Sequence, residues 1–393
     1  MKIIIKNAGI LNSWTGVIQR GSVTVTGDTV SRVCYGEESD SYADKVIDAD
    51  GSLLIPGFVD VHTHGRCGFD FSSADESGLR RMAESYASDG VTTVFPTLAS
   101  DTLGGLCDAA VRINSFRKSD APFSSVFGGI HLEGRYINPV KRGAHNPELI
   151  VKPSSDELDV FMKSAGLPLH ITAALELDDG SFANAAVKFG ATLGLGHTAA
   201  DYSETVGFID RYGVSLTHTY NAMPGIHHRD GGPVIAAFRK KAFCELICDG
   251  HHVDREMVAF TYAQTGCERL VLVSDSMAAT CMPDGDYSIA GTPAFVRYGI
   301  ARTPDGALAG STLRLPQAVE NLADFTGAGL SDAVRCATVC PALEAGISDV
   351  CGIIGVGRRA DMILCRPDET PGKVRLGMYA VISAGRIIDP MYK

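Results

Sequence analysis

Two patterns of hydrophobic and polar positions follow one another along the chain. Over the first 55 residues, short apolar runs at 2–10, 22–26, 30–35, 46–48 and 52–55 are broken by turn residues and show no helical period. That alternation predicts a small sheet. From Pro56 the pattern changes. Apolar runs at 57–64, 91–98, 126–133, 169–176, 191–197, 215–220, 242–248 and 269–275 alternate with helix-period stretches at 76–88, 103–118, 155–165, 182–189, 201–212 and 254–265. Gly90, Gly166, Gly190, Gly213 and Gly266 stand where helices stop, since glycine accepts the left-handed cap conformation. Eight strands alternating with helices predict an α/β fold built on a (β/α)8 barrel. A long loop at 278–310 and helical runs at 312–326 and 331–345 follow; strands at 360–365 and 376–388 then return to complete the N-terminal sheet. The predicted organisation is a barrel domain over 56–349 and a small β-sandwich domain made from 1–55 and 350–393. No internal repeat or low-complexity tract interrupts it.

Composition narrows the class without changing the architecture. Hydrophobic residues make up 45% of the 393 positions and charged residues 21%, as in ordinary globular chains. No apolar run reaches the ~18 residues that span a bilayer, and the N-terminal run is too short for a signal peptide. The eleven cysteines are odd in number and scattered, which argues against a disulfide framework and for a reduced, cytoplasmic protein. Cys244 with Cys248, and Cys336 with Cys340, lack partner pairs at zinc-finger spacing and read as buried apolar residues. A net charge of −11, with no basic run, argues against a nucleic-acid surface. An anionic small substrate stays possible if Arg, His or backbone N–H groups gather locally.

The chemistry lies where the runs end. Five of them close on a residue able to bind metal or move protons: His62-Thr63-His64, Glu133, His197, His218 and Asp275. His62 and His64, two apart on a strand, point to one face and can share an ion. A carboxylate such as Glu133 at the end of a buried strand needs a metal or a cation partner, Arg135 or Arg142 being the alternatives. Glycines at 194 and 196, just before His197, suggest close backbone approach near a ligand. His197 and His218 judged singly could each be a satisfied core histidine; ending adjacent strands, they read as a pair. Asp275 is either a helix cap or the carboxylate that takes a proton from metal-activated water and passes it to a leaving amine.

These residues sit in segments with a resemblance. GFVDVHTHG, HLEGRYINPVKRGAHNPE, GLGHTAADY, THTYNAM, DGHHVD, SDSMAATCMPDGDY and LAGSTL, in unbroken order from about Pro56 to Asp361, resemble the motif series of N-acetylglucosamine-6-phosphate deacetylases in the amidohydrolase superfamily. The resemblance implies a TIM barrel and a metal-dependent hydrolase that releases acetate from N-acetylglucosamine 6-phosphate. It assigns Glu133, His197 and His218 to the main metal, His62 and His64 to a second ion, and Asp275 to proton transfer. His145 would help polarise the acetyl carbonyl. Ala144, Asn221, Ala222, Leu308, Ala309 and Gly310 would line the sugar pocket. His252 would bind phosphate, and Arg229 would reach a neighbouring subunit's phosphate in a homodimer. The cofactor implied is a divalent ion, zinc before iron, one or two per subunit. Partners such as nucleic acid or membrane are not expected.

One departure stands out: Arg135, two residues beyond Glu133, occupies a position usually apolar in the family, and either pairs with a carboxylate or touches substrate. The rival substrates are N-acetylgalactosamine 6-phosphate or another N-acyl amino sugar. A cyclic-amide hydrolase would use a carboxylated lysine at a strand end, and no run ends on one. A non-catalytic sugar-phosphate sensor would have no use for Asp275 beside a full metal set.

Overall fold

The computed structural model describes residues 1–36, 42–370 and 373–392. The N-terminal alternation forms strands Lys2–Asn12, Val17–Thr26 and Thr29–Tyr35, paired antiparallel in succession. Lys45–Asp48 and Leu53–Pro56 pair parallel with the first of these. The free side of Leu53–Pro56 is taken by Met362–Cys365, and Met378–Ser383 and Arg386–Ile388 extend the sheet from there. One eight-stranded sheet therefore draws on both ends of the chain. It encloses a separate apolar core in which Ile3, Ile5, Val23 and Val25 join Met362, Leu364 and Ile382.

The barrel strands are Phe58–Thr63, Val91–Leu98, Ile130–Glu133, Leu169–Ala173, Thr192–Leu195, Ser215–Leu216, Cys244–Ile247 and Leu270–Val273. They lie parallel and in chain order. Closure between the eighth and the first comes from side chains and a short bridge. Ser274 Oγ donates to Asp60 at 2.6 Å, the Asp275 N–H donates to His62 O at 2.9 Å, and Thr63 bridges Ser276. Most of these strands are buried along their whole length, which is why they read as continuous apolar runs and not as alternation. Helices Glu76–Ser88, Leu103–Lys118, Ser155–Ala165, Ser181–Lys188, Tyr202–Tyr212 and Arg255–Arg269 fall where the periodicity predicts.

Differences from the sequence reading concentrate in the loops. A helix at Gly232–Lys240, opened by Pro233, was not expected. The 278–310 loop contains a three-stranded sheet, Gly285–Ile289, Thr292–Arg297 and Ile300–Arg302. The 331–345 run is two helices, Leu330–Cys336 and Val339–Glu344, broken at Thr338. Among the described residues no helix is long and apolar enough to cross a membrane, and all eleven cysteines are free.

Candidate metal centre and cleft

Three of the strands that carry a candidate residue leave the barrel through an abrupt turn at that residue. His197, His218 and Asp275 have φ of 46°, 31° and 46°, in the left-handed region that side chains other than glycine seldom occupy. The turn swings each side chain over the C-terminal mouth while the chain departs into a loop. Such backbone strain gathers at sites where surrounding structure holds it in place. The glycines before His197 serve a different purpose from the one expected. A Cβ on Gly194 would lie 2.4 Å from Thr217 Oγ1, and one on Gly196 2.6 Å from Thr217 Cβ, so they admit the neighbouring strand's side chain and not a ligand.

At the mouth the imidazoles converge on one carboxylate. Glu133 Oε1 lies 2.9 Å from His218 Nε2, 3.2 Å from His197 Nε2 and 3.3 Å from His62 Nε2; its Oε2 lies 3.0 Å from His64 Nε2. His197 Nε2 and His218 Nε2 are 3.1 Å apart. Asp275 Oδ1 completes the ring, 3.3 Å from His64 and 3.6 Å from His62. All these groups are buried. Burial opposes charge here, yet the imidazoles of His62, His197 and His218 hold Glu133 well below the usual carboxylate range. Burial likewise opposes the charge on Asp275, which His62 and His64 nonetheless lower.

The donor set suits a divalent ion. His197 Nδ1 donates to Lys141 O at 2.7 Å, an acceptor only, so its Nε2 presents a lone pair. His62 Nδ1 is held by Glu245 Oε2 at 2.9 Å, and its buried Nε2 makes no hydrogen bond. In His62 and His197, lone pairs aimed at one carboxylate with the far nitrogens fixed by acceptors suit a metal site of nitrogen and oxygen donors. Two donor groups overlap at Glu133: Glu133 with His197 and His218, and Glu133 with His62 and His64.

Above the mouth opens a cleft of about 400 Å³. Its lining includes Ala144, His145, Asn221, Ala222, His252, Leu308 and Gly310, together with His64, Glu133, His197, His218 and Asp275. Ala309 points away from it, into an apolar cluster with Met277 and Ile289. Arg229 is exposed on the 225–231 turn and is not among the lining residues. Lys141, Ile289 and Ala307 do line the cleft and were not singled out from sequence. Lys141 stood in the conspicuous motif segment; Ile289 ends the first strand of the inserted sheet and Ala307 lies in the loop after its last, neither announced by any periodicity.

His145 receives the Ser100 N–H on Nδ1 at 3.3 Å, which leaves its Nε2 as the proton-bearing nitrogen. Burial, with His197 nearby, pushes it down to about 3, so it is a neutral donor at ordinary pH. His252 pairs with Asp249 Oδ2 at 2.7 Å; burial opposes its charge, but Asp249 raises its pKa. Arg135 turns away from the mouth: Nε lies 3.1 Å from Glu157 Oε2, and Nη1 donates to Asp101 O at 3.1 Å. It is a structural ion pair.

The model of the amidohydrolase family matches residues 53–390. An N-acetylgalactosamine-6-phosphate deacetylase of Escherichia coli O157:H7 is 34% identical over 81% of this chain and 85% of its own length. An N-acetylglucosamine-6-phosphate deacetylase of Bacillus subtilis (strain 168) is 31% identical over 93% of each. Among solved structures, an N-acetyl-D-glucosamine-6-phosphate deacetylase variant of Mycobacterium smegmatis, in complex with N-acetyl-D-glucosamine-6-phosphate, superposes with a TM-score of 0.85. It is 29% identical and covers 98% of this chain and 99% of its own. The N-acetylglucosamine-6-phosphate deacetylase of Thermotoga maritima matches with the same score at 31% identity, over 98% and 99%.

Proposed function

The chain belongs to the amidohydrolase family, with the N-acetylglucosamine-6-phosphate deacetylases, and on that premise we propose that it hydrolyses N-acetylglucosamine 6-phosphate to glucosamine 6-phosphate and acetate. The observation that carries this reading is the position of Asp275, a carboxylate at the rim of a convergent His/Glu donor set and facing a cleft of sugar size. The ion belongs at Glu133, His197 and His218, with a second at His62 and His64; zinc fits imidazole and carboxylate donors, and iron fits them too. When bound, it supplies Lewis acidity and lowers the pKa of water at the site.

In this reading Asp275 accepts a proton from the water that attacks the acetamide carbonyl, then returns it to the nitrogen as the C–N bond breaks. His145, protonated on Nε2 and uncharged, donates to the carbonyl oxygen as negative charge gathers there. His252, whose pKa Asp249 raises against the opposing effect of burial, serves the phosphate from within the cleft. Arg229, displayed on an exposed turn, is suited to complete a neighbouring subunit's phosphate site, so the working assembly in this proposal is a cytoplasmic homodimer.

N-acetylgalactosamine 6-phosphate is the second reading, favoured by the 34% identity to a deacetylase of that sugar. Acetate release from the 6-phosphates of N-acetylglucosamine, N-acetylgalactosamine and N-acetylmannosamine, and from the unphosphorylated sugars, separates the two. Asp275→Asn should keep its metal and lose roughly 10²–10⁴-fold in turnover. Near-normal turnover in that variant would remove Asp275 from the mechanism.

A further inference from the structure

Beneath the mouth, the barrel interior contains a second group of ionisable side chains that the hydrolytic reading does not use. His170 lies on the fourth barrel strand, Glu245 on the seventh, and Glu344 ends the helix Val339–Glu344. All three are buried, and one donor atom from each lies within 4.8 Å of the others. The group is separated from the mouth by His62, whose Nδ1 donates to Glu245 Oε2.

The atoms that converge there lack partners. His170 Nε2, Glu245 Oε1 and both carboxylate oxygens of Glu344 make no hydrogen bond. Among the described residues neither glutamate pairs with a lysine or arginine. The other faces of two of these side chains are committed. Glu245 Oε2 accepts from His62 Nδ1 at 2.9 Å and from the His218 N–H at 3.1 Å, the pattern of an ionised carboxylate. His170 Nδ1 lies 2.9 Å from Thr192 Oγ1, whose own hydroxyl is directed to Leu169 O. The imidazole therefore donates through Nδ1 and presents a lone pair at Nε2, only 3.4 Å from Glu245 Oε1. Two lone pairs at that separation repel unless positive charge lies between or beside them. A single proton bridges one pair of atoms and leaves the others unmet; buried carboxylates without partners are strongly disfavoured. One cation meets all three side chains at once.

We propose that His170, Glu245 and Glu344 form a cation site inside the barrel, distinct from the mouth, that takes a divalent ion of the zinc class. One imidazole and two carboxylates are a donor set of that class. Ser215, whose hydroxyl is buried beside Glu344 without a hydrogen bond of its own, stands ready as a further oxygen donor. Because Glu245 also fixes the far nitrogen of His62, an ion held here sets the charge on the group that orients a mouth ligand.

The test is metal content per subunit of protein purified from zinc-supplied cells, together with a zinc-edge anomalous map of its crystals. The expected map has a peak among His170, Glu245 and Glu344, separate from those at Glu133. Glu344→Gln should lose that peak and one equivalent of zinc while keeping its mouth content. No peak below His62 in the wild type, or equal zinc in wild type and Glu344→Gln, would mean that a shared proton alone neutralises the group, and the proposal fails. If Glu344→Gln does not fold, the wild-type map decides by itself.

Discussion

Arg135 shows a choice that sequence neighbours leave open, between a carboxylate partner and a substrate contact, and that the structure resolves in favour of the carboxylate. Its nearness to Glu133 suggests a substrate contact; φ of 43° at Arg135 itself turns the guanidinium to Glu157 instead. Arg135→Ala should lower stability by about 1 kcal/mol, the scale of a partly exposed ion pair, and leave KM for the sugar phosphate unchanged. A thermal melt beside steady-state kinetics checks both halves. At His252 the sign of a pH effect follows from its partner. Burial, and Arg302 further off, oppose its charge, but Asp249 and Asp275 outweigh them and raise its pKa. Its contribution to stability is complete below the ordinary imidazole value of about 6.5 and is lost as pH rises through the raised folded value. Melting temperatures measured from about pH 6 to 9 should therefore fall more steeply for the wild type than for His252→Asn. Residues at the mouth were legible in sequence because each ends an apolar run. Glu245 was not, since one carboxylate inside Cys-Glu-Leu-Ile gives no hint that closure of the barrel brings His62, on the first strand, within reach of the seventh.

At the scale of strands and helices, periodicity placed what is long and buried and missed what is short. Glu76–Ser88 and Leu103–Lys118 each present a full apolar stripe and were read to the residue. Gly232–Lys240 was missed because the Gly-Gly-Pro at its start reads as a loop, although proline in a first turn is compatible with a helix start. Gly285–Ile289 and Thr292–Arg297 do alternate in burial, but over too few residues to stand out within a polar stretch. The sixth barrel strand, Ser215–Leu216, ends early because the chain must turn to deliver His218. Tight strand contacts at Gly196 give a further test. Gly196→Ala drives a methyl into Thr217, and overpacking of that kind costs about 1–3 kcal/mol. With His197 adjoining, the variant should also retain less metal. A melt and metal analysis of one preparation would read both, and unchanged metal content would show that the strand yields without moving His197.

For the molecule as a whole, the mouth gathers four histidines and two carboxylates in a buried ring able to hold a divalent ion. An ion that binds only the folded chain stabilises it by about 4 kcal/mol at a thousandfold excess over its dissociation constant. Chelation should therefore lower the melting temperature and zinc should restore it; a chelated protein that melts unchanged in calorimetry would argue that the ring is stable without metal. The barrel was legible at this scale because eight runs and their helices recur. Return of the last strands to the first sheet was legible too, as apolar runs left over once the barrel is complete.

That return has a consequence for synthesis. Leu53–Pro56 obtains its second neighbour only when Met362–Cys365 arrives, roughly 300 residues later. At about 5–20 residues per second, the ribosome leaves that edge open for about 15–60 s. Through that interval the nascent chain displays an unpaired apolar strand, a template for any other chain nearby. The small sheet is begun before the barrel is made and finished only after it.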